Sequence, residues 1–132
     1  MKSFFAILGA IGLLAQQAAS YTVSPALSWT EANNWCIKNN YGTLYAPIND
    51  NNYQNAYKAC GNDRNCWVGT HRRTMGEKVF VNVDYSTPFL KWAPNQPDDE
   101  NMKEACIHFF ATTVGGLNDN VCSEKFVGIC SK

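Results

Sequence analysis

The 132-residue sequence lacks the residue patterns on which most enzymes and zinc sites depend. It contains only two histidines, no pair of cysteines in CxxC spacing, and no patterned set of serine, histidine and aspartate. Zinc sites need clustered cysteines or histidines, and serine-type hydrolases need a base beside the nucleophile. The composition therefore argues against a zinc protein and predicts that the chain is not an enzyme.

The sequence also lacks an excess of positive charge. Eleven basic and eleven acidic residues balance to a formal net charge of zero. The only basic cluster is His71-Arg72-Arg73, which we interpret as a solvated loop. Binding to nucleic acid requires a larger basic surface, so we predict no nucleic-acid partner.

After residue 20 there is no long apolar run. The first twenty residues combine Lys2, an apolar run from Phe4 to Ala15, and the small residues Ala18-Ala19-Ser20. This combination is typical of a secretory signal peptide. We therefore expect cleavage after Ser20, a secreted product without a membrane span, and one domain over residues 21–132.

Cysteine, by contrast, is plentiful. All six cysteines lie within residues 21–132, at positions 36, 60, 66, 106, 122 and 130. An even number behind a signal peptide predicts three disulfides in an oxidising compartment. Their spacing alone leaves the pairing open.

Two helices are predicted in the first half of the domain. Ser28-Trp29-Thr30-Glu31 is a capping box, with a hydroxyl at the N-cap and a carboxylate three residues later, and its helix should run to about Asn39. The second helix can be capped by Asn49 or Asp50 and is indicated by apolar residues at helical spacing: Tyr53, Ala56, Tyr57 and Cys60.

Short strands are predicted in the second half. They are Cys66–Gly69, Lys78–Tyr85 with Val79, Val81 and Val83 on one face, Glu104–Thr112, Val121–Cys122 and Phe126–Cys130. Two helices followed by mostly antiparallel strands predict an α+β fold.

One stretch, Trp92 to Cys106, is rich in side-chain oxygens. Within it and shortly after it lie five candidate ligands: Gln96, Asp98, Glu104, Asn118 and Asp119. Calcium prefers several carboxylate and amide oxygens from different segments. We therefore predict that these five residues bind a calcium ion (Ca2+), and that a cis Gln96–Pro97 bond directs Gln96 and Asp98 to the same side. Asp99 and Glu100 are interpreted as solvated, or as ligands of a second, weaker ion.

A series of segments matches a known pattern in order along the chain. They are Ser28-Trp29-Thr30-Glu31-Ala32 with Cys36, Gly42-Thr43-Leu44 with Ala46-Pro47-Ile48, Trp67-Val68-Gly69-Thr70, Trp92 through Gln96-Pro97-Asp98, Glu104-Ala105-Cys106, Asn118-Asp119 with Cys122, and 126–130. Together they resemble the C-type lectin-like domain over essentially all of residues 21–132.

The resemblance implies a fold, a set of disulfides and a function. The fold is a small antiparallel sheet flanked by two helices, with a long loop. The disulfides are Cys36–Cys130 and Cys106–Cys122, which leaves Cys60–Cys66. The five candidate ligands match the family's calcium ligands, which also hold vicinal sugar hydroxyls, and Gln-Pro-Asp goes with galactose-type glycans.

Two departures from the family pattern keep a second hypothesis open. Leu117 replaces the usual tryptophan, and the segment from Asp99 to Lys103 lacks the aromatic ring on which galactose stacks in this family. The first hypothesis is a secreted, calcium-dependent lectin domain whose avidity comes from clustering or a homo-oligomer. The alternative is a C-type lectin-like scaffold that binds a protein or another surface without sugar or calcium.

Overall fold

The computed structural model describes residues 21–132; the predicted signal peptide lies outside the described residues. Within this range the elements are α1 (Trp29–Lys38), α2 (Asp50–Cys60), β1 (Cys66–Arg72), β2 (Phe80–Asn82), β3 (Cys106–Phe109), β4 (Leu117–Asn120) and β5 (Val127–Gly128), with a short 3-10 turn at Glu100–Met102. This is the predicted α+β architecture. No helix in residues 21–132 is long and apolar enough to cross a membrane.

Both helices begin at the side chains that the sequence indicates. At α1 the Ser28 hydroxyl accepts from the Glu31 amide, and the Glu31 carboxylate accepts from the Ser28 amide. At α2 the Asn49 side chain accepts from the Asn52 amide at 2.8 Å. These bonds satisfy amides that have no partner inside the helix, so the predicted starts are confirmed.

The strands form one sheet in the order β2-β1-β3-β4, with antiparallel neighbours, and β5 pairs in parallel with β1. Trp67 of β1 is fully buried, and its indole nitrogen donates to the Leu27 carbonyl at 2.9 Å. The sheet therefore brings the end of β1, the start of β3 and all of β4 to neighbouring positions. The candidate ligands Glu104, Asn118 and Asp119 lie in or next to these strands.

The second strand is shorter than the predicted Lys78–Tyr85. β2 covers only Phe80–Asn82, and its buried residue is Asn82, whereas Val79 is 43% exposed. The side-chain oxygen of Asn82 accepts from the Thr70 hydroxyl at 2.7 Å, and its side-chain nitrogen donates to the Ser86 hydroxyl. A polar side chain with these partners can be buried at little cost.

Other strand boundaries also differ from the prediction. Val121–Cys122 is not a strand, because β4 ends at Asn120 and Cys122 lies in a turn. The predicted strands Glu104–Thr112 and Phe126–Cys130 shorten to β3 and β5. Asn118 and Asp119 lie inside β4, where they pair with His108 and Ile107 of β3.

Three disulfides join Cys36 to Cys130, Cys60 to Cys66, and Cys106 to Cys122. These are the pairs that the resemblance implies. The first links α1 to the end of the chain, and the second links α2 to β1. The third holds the segment after β4 to the start of β3, beside the oxygen-rich loop.

Candidate metal centre

The oxygen-rich loop is anchored to β4 at its beginning. The Leu117 amide donates to the Lys91 carbonyl, and the Ala93 amide donates to the Leu117 carbonyl, both at 2.9 Å. Gly116 permits this close approach: its φ is +106°, and a Cβ there would lie 2.5 Å from the Ala93 nitrogen and Cα. A side chain at this position would push the loop away from the strand.

The loop then turns at Pro97. The Gln96–Pro97 peptide bond is cis, as predicted. The Gln96 side-chain carbonyl accepts from the Asp98 amide at 3.2 Å. Gln96 and Asp98 therefore belong to one compact turn.

Three of the five predicted ligands converge. One carboxylate oxygen from each of Asp98, Glu104 and Asp119 lies within 4.8 Å of the others. Asp98 is exposed, Glu104 half-buried and Asp119 fully buried. Three carboxylates at this distance repel one another unless a cation or a proton lies among them.

The electrostatic consequence falls on Glu104. Its pKa is raised to about 8, first because burial disfavours the charged form, then because of its hydrogen bond with Asp98 and the charges of Asp119 and Asp98. Without a cation, the cluster therefore retains a proton at neutral pH. A bound metal ion would replace that proton.

The side chain of Asn118 forms a hydrogen bond with His108. The two residues are paired across β3 and β4, and the Asn118 amide nitrogen lies 3.2 Å from His108 Nε2. His108 Nδ1 lies 2.9 Å from the Phe109 carbonyl, which can only accept, so Nδ1 carries the proton and Nε2 accepts from Asn118. Burial lowers the pKa of His108 to about 4, which keeps the ring neutral.

This arrangement leaves the side-chain oxygen of Asn118, Oδ1, as a buried acceptor without a hydrogen-bond partner among the described residues. Such atoms are rare in folded proteins, and a site for an ion or a water is one common reason for them. This oxygen and the three converging carboxylates are donors of the kind that a hard cation such as calcium prefers. The side chain of Gln96 contacts the backbone amide of Asp98. The side chain of Asn118 contacts His108.

The interpretation of His71-Arg72-Arg73 as a solvated loop was wrong for Arg72. Its side chain is 2% exposed, and it forms an ion pair with the fully buried Asp119 at 2.6 Å. It also donates to the Glu104 and Glu77 carbonyls and lies over the Phe80 ring. Arg72 is the last residue of β1. Its contacts make it part of the candidate centre.

Asp99 is also built into the centre rather than solvated. Its amide donates to Asp119 Oδ2 at 2.8 Å, and its carboxylate accepts from the Glu104 amide at 3.1 Å. Glu100, in contrast, is exposed. The Asp99 carboxylate therefore links two segments of the loop.

Two residues of this site were missed by sequence reasoning. The register of β3 against β4 would have indicated His108, because it faces Asn118 in the sheet. Arg72 would have been indicated by extending the strand at Cys66 to seven residues, which places it at the strand end. Both signals depend on the length or pairing of strands.

A cleft of about 390 Å³ lies beside the carboxylate cluster. It is lined by Arg72, Gly76, Lys78, Phe80, Pro97, Asp98 and Asp99. Phe80 and Pro97 supply apolar surface next to Asp98. The cleft thus adjoins the candidate centre and contains an aromatic ring, Phe80, of the kind that the segment from Asp99 to Lys103 lacks.

Comparisons with known proteins identify the family. The family model described as Lectin C-type domain matches residues 25–132. Asialoglycoprotein receptor 1 of Mus musculus is 32% identical over 107 residues, which cover 77% of this chain but only 36% of the receptor. Salivary C-type lectin 2 of Aedes albopictus is 25% identical over 80% of this chain and 77% of that protein.

A solved structure shares the fold. The Ca2+-free form of a Ca2+-dependent type II antifreeze protein superposes with a TM-score of 0.72 and 22% identity, over 83% of this chain and 88% of that one. The family model covers nearly all of the described residues, and the chain belongs to the C-type lectin domain family.

Proposed function

We propose that the chain is a secreted, calcium-dependent lectin domain that binds carbohydrate through the centre formed by Gln96, Asp98, Glu104, Asn118 and Asp119. The observation that carries the proposal is the convergence of Asp98, Glu104 and Asp119 within 4.8 Å. The buried, unpartnered oxygen of Asn118 supports it. The family consists of binding proteins rather than enzymes.

Calcium, when bound, would offer open coordination positions to two neighbouring hydroxyls of a sugar. The chain's own task is to orient the oxygens around the ion. The anchored loop holds Asp98 and Glu104, β4 holds Asp119, and His108 holds the amide of Asn118. Carboxylate oxygens can accept hydrogen bonds from sugar hydroxyls, and amide groups can accept or donate them.

The proposed sugar class is galactose-type, because the turn carries Gln96-Pro97-Asp98. We place the apolar face of the sugar against Phe80, which lines the cleft next to Asp98. Phe80 is half-buried and comes from β2, a different segment from the loop. This ring would supply the stacking surface that the segment from Asp99 to Lys103 lacks.

A glycan array probed with calcium and again with EDTA tests the function. We expect binding to galactose-type glycans only when calcium is present. Binding that persists in EDTA would contradict the proposed function. Asp98→Ala should abolish binding while the protein stays folded, since Asp98 is exposed. Asp63→Ala, which removes an exposed carboxylate elsewhere, is the matched control.

A second candidate is a scaffold of the same fold that binds another surface without calcium. One observation favours it: both oxygens of Asp119 already accept hydrogen bonds from the protein. A calcium titration of the melting temperature separates the two candidates. An ion that binds the folded state must raise that temperature, and no rise would favour the scaffold.

Secretion and assembly complete the proposal. Residues 1–20 would direct secretion, so the secreted protein should begin at Tyr21, which N-terminal sequencing can check. A single shallow site should bind a monosaccharide on the order of millimolar, or about −4 kcal/mol. Useful avidity would then come from a homo-oligomer or from clustered glycans, which sedimentation analysis of the secreted protein can test.

A further inference from the structure

Among residues 21–132, Arg72 is the one arginine whose side chain contacts the candidate ligands. Its side chain and that of Asp119 are 2% and 0% exposed, with Nη2 at 2.6 Å from Asp119 Oδ2. Nε donates to the Glu104 carbonyl at 2.7 Å. A buried cation needs such partners, and these come from two separate segments that carry candidate ligands.

Asp119 in turn holds the loop. Its Oδ1 accepts from the Asp98 amide at 3.1 Å, and its Oδ2 accepts from the Asp99 amide at 2.8 Å. A carboxylate buried this deeply is stable as an acceptor only if a positive charge balances it. Arg72 is that charge in the absence of any metal ion.

We propose that Arg72 is a positioning residue: a built-in counter-ion that holds Asp119, and through it the Asp98–Asp99 turn, in the ligand-ready arrangement before any metal ion arrives. As an account of how a calcium centre is prepared, this inference rests on the proposed function. The hold of Arg72 on the loop, however, requires neither calcium nor sugar.

The alternative is that a metal ion is needed to order the loop. Three features oppose it. The guanidinium reaches Asp119 from the sheet side, at the end of β1. It is fixed by the Glu104 and Glu77 carbonyls. It is also covered by the Phe80 ring at 4.8 Å, so its position is set by backbone carbonyls and an aromatic ring rather than by the carboxylates alone.

Hydrogen exchange of the Asp98 and Asp99 amides in EDTA tests the inference on the wild-type protein. Both amides donate to Asp119, so we expect them to be protected without calcium. Exchange at the rate of an unfolded peptide in EDTA would overturn the inference. The measurement involves no sugar and stands even if the domain binds none.

Substitution then assigns the protection to Arg72. In EDTA, Arg72→Met should lower the protection of these two amides by at least about a hundredfold, because one partner of a buried ion pair is lost. Arg73→Met is the matched control: Arg73 is 59% exposed and pairs with Glu77, so protection should not change. Equal protection in Arg72→Met and wild type would overturn the inference.

Two further arms keep the test decisive. Arg72→Lys retains the charge and should recover part of the protection; if Arg72→Met does not fold, the wild-type and Arg72→Lys measurements remain. Calcium titration of the wild type, followed at the Asp98 amide, reports on the proposed function separately. Protection in EDTA with no response to calcium would support the role of Arg72 and contradict calcium binding.

Discussion

Asn118 donates a hydrogen bond to Nε2 of His108 across β3 and β4, at 3.2 Å. His108 is fully buried and neutral, so its Nε2 is a fixed acceptor at the back of the candidate centre. Its contact with Asn118 additionally fixes which way the Asn118 amide points.

The first prediction follows from that contact. His108→Phe keeps most of the ring volume but removes the acceptor, which leaves the Asn118 amide unsatisfied. We expect a loss of about 1–3 kcal/mol in the free energy of unfolding and calcium affinity lower by about 10–100-fold. Chemical denaturation and calorimetric calcium titration measure the two effects.

His71→Phe is the matched control for this variant. His71 is half-buried and packs edge-on against Trp29, and its side chain points to the face of β1 opposite that of Arg72. Its calcium affinity should equal that of the wild type. Equal affinities for all three proteins would contradict a positioning role for His108.

The second prediction concerns pH. In EDTA, Glu104 has a pKa raised from 4.5 to about 8, chiefly by burial. The folded state therefore holds this proton more tightly than the unfolded state, and its contribution to stability is lost as pH rises from about 4.5 to about 8. In EDTA, the unfolding free energy of the wild type should therefore fall relative to that of Glu104→Gln as the pH rises through this range.

The same proton competes with a metal ion. Calcium binding requires the ionised carboxylate, so calcium affinity should rise as pH increases towards about 8. The wild-type protein in saturating calcium should accordingly lose less stability over this range than it does in EDTA. Parallel stability curves with and without calcium would contradict a shared site for the ion and the proton.

The third prediction separates sugar stacking from metal binding. Phe80→Leu keeps an apolar side chain in the cleft beside Asp98 but removes the aromatic face. Affinity for a galactose-type glycan should fall by about 2–12-fold, which is the value of one aromatic contact. Calcium affinity should fall less, because leucine remains as apolar cover for the Arg72 guanidinium, which Phe80 covers in the wild type. Phe89→Leu, at a ring that packs on Tyr53 outside the cleft, should change neither; unaltered glycan affinity in Phe80→Leu would place the sugar elsewhere.

The sequence predicted best where the signal was local. The capping box at Ser28 and the cis bond before Pro97 depend on neighbouring residues only, and both are present. The burial of Asn82 in β2 was not predicted, because it depends on Thr70, a partner in another strand. Alternation of side chains defines two faces of a strand but does not say which one is buried.

The candidate site shows the same division. Spacing and residue type identified Asp98, Glu104 and Asp119, which converge in the structure. Arg72 was interpreted as solvated, because a basic residue in a cluster of charges has the same composition whether it is exposed or paired. Only the sheet, which places the end of β1 near β4, brings Arg72 to Asp119.

The last prediction tests the anchor of the loop. Gly116→Ala places a methyl group 2.5 Å from the Ala93 backbone, at a φ of +106°. Gly76→Ala is the matched control for backbone strain alone, because its φ is +85° but its nearest neighbour is the end of the Met102 side chain at 3.6 Å. Strain of this kind costs about 1–3 kcal/mol, and both variants should show it in thermal unfolding. Only Gly116→Ala should also weaken calcium binding, because only there must the loop leave β4; equal calcium affinity in the two variants would mean that the position of Asp98 does not depend on this anchor.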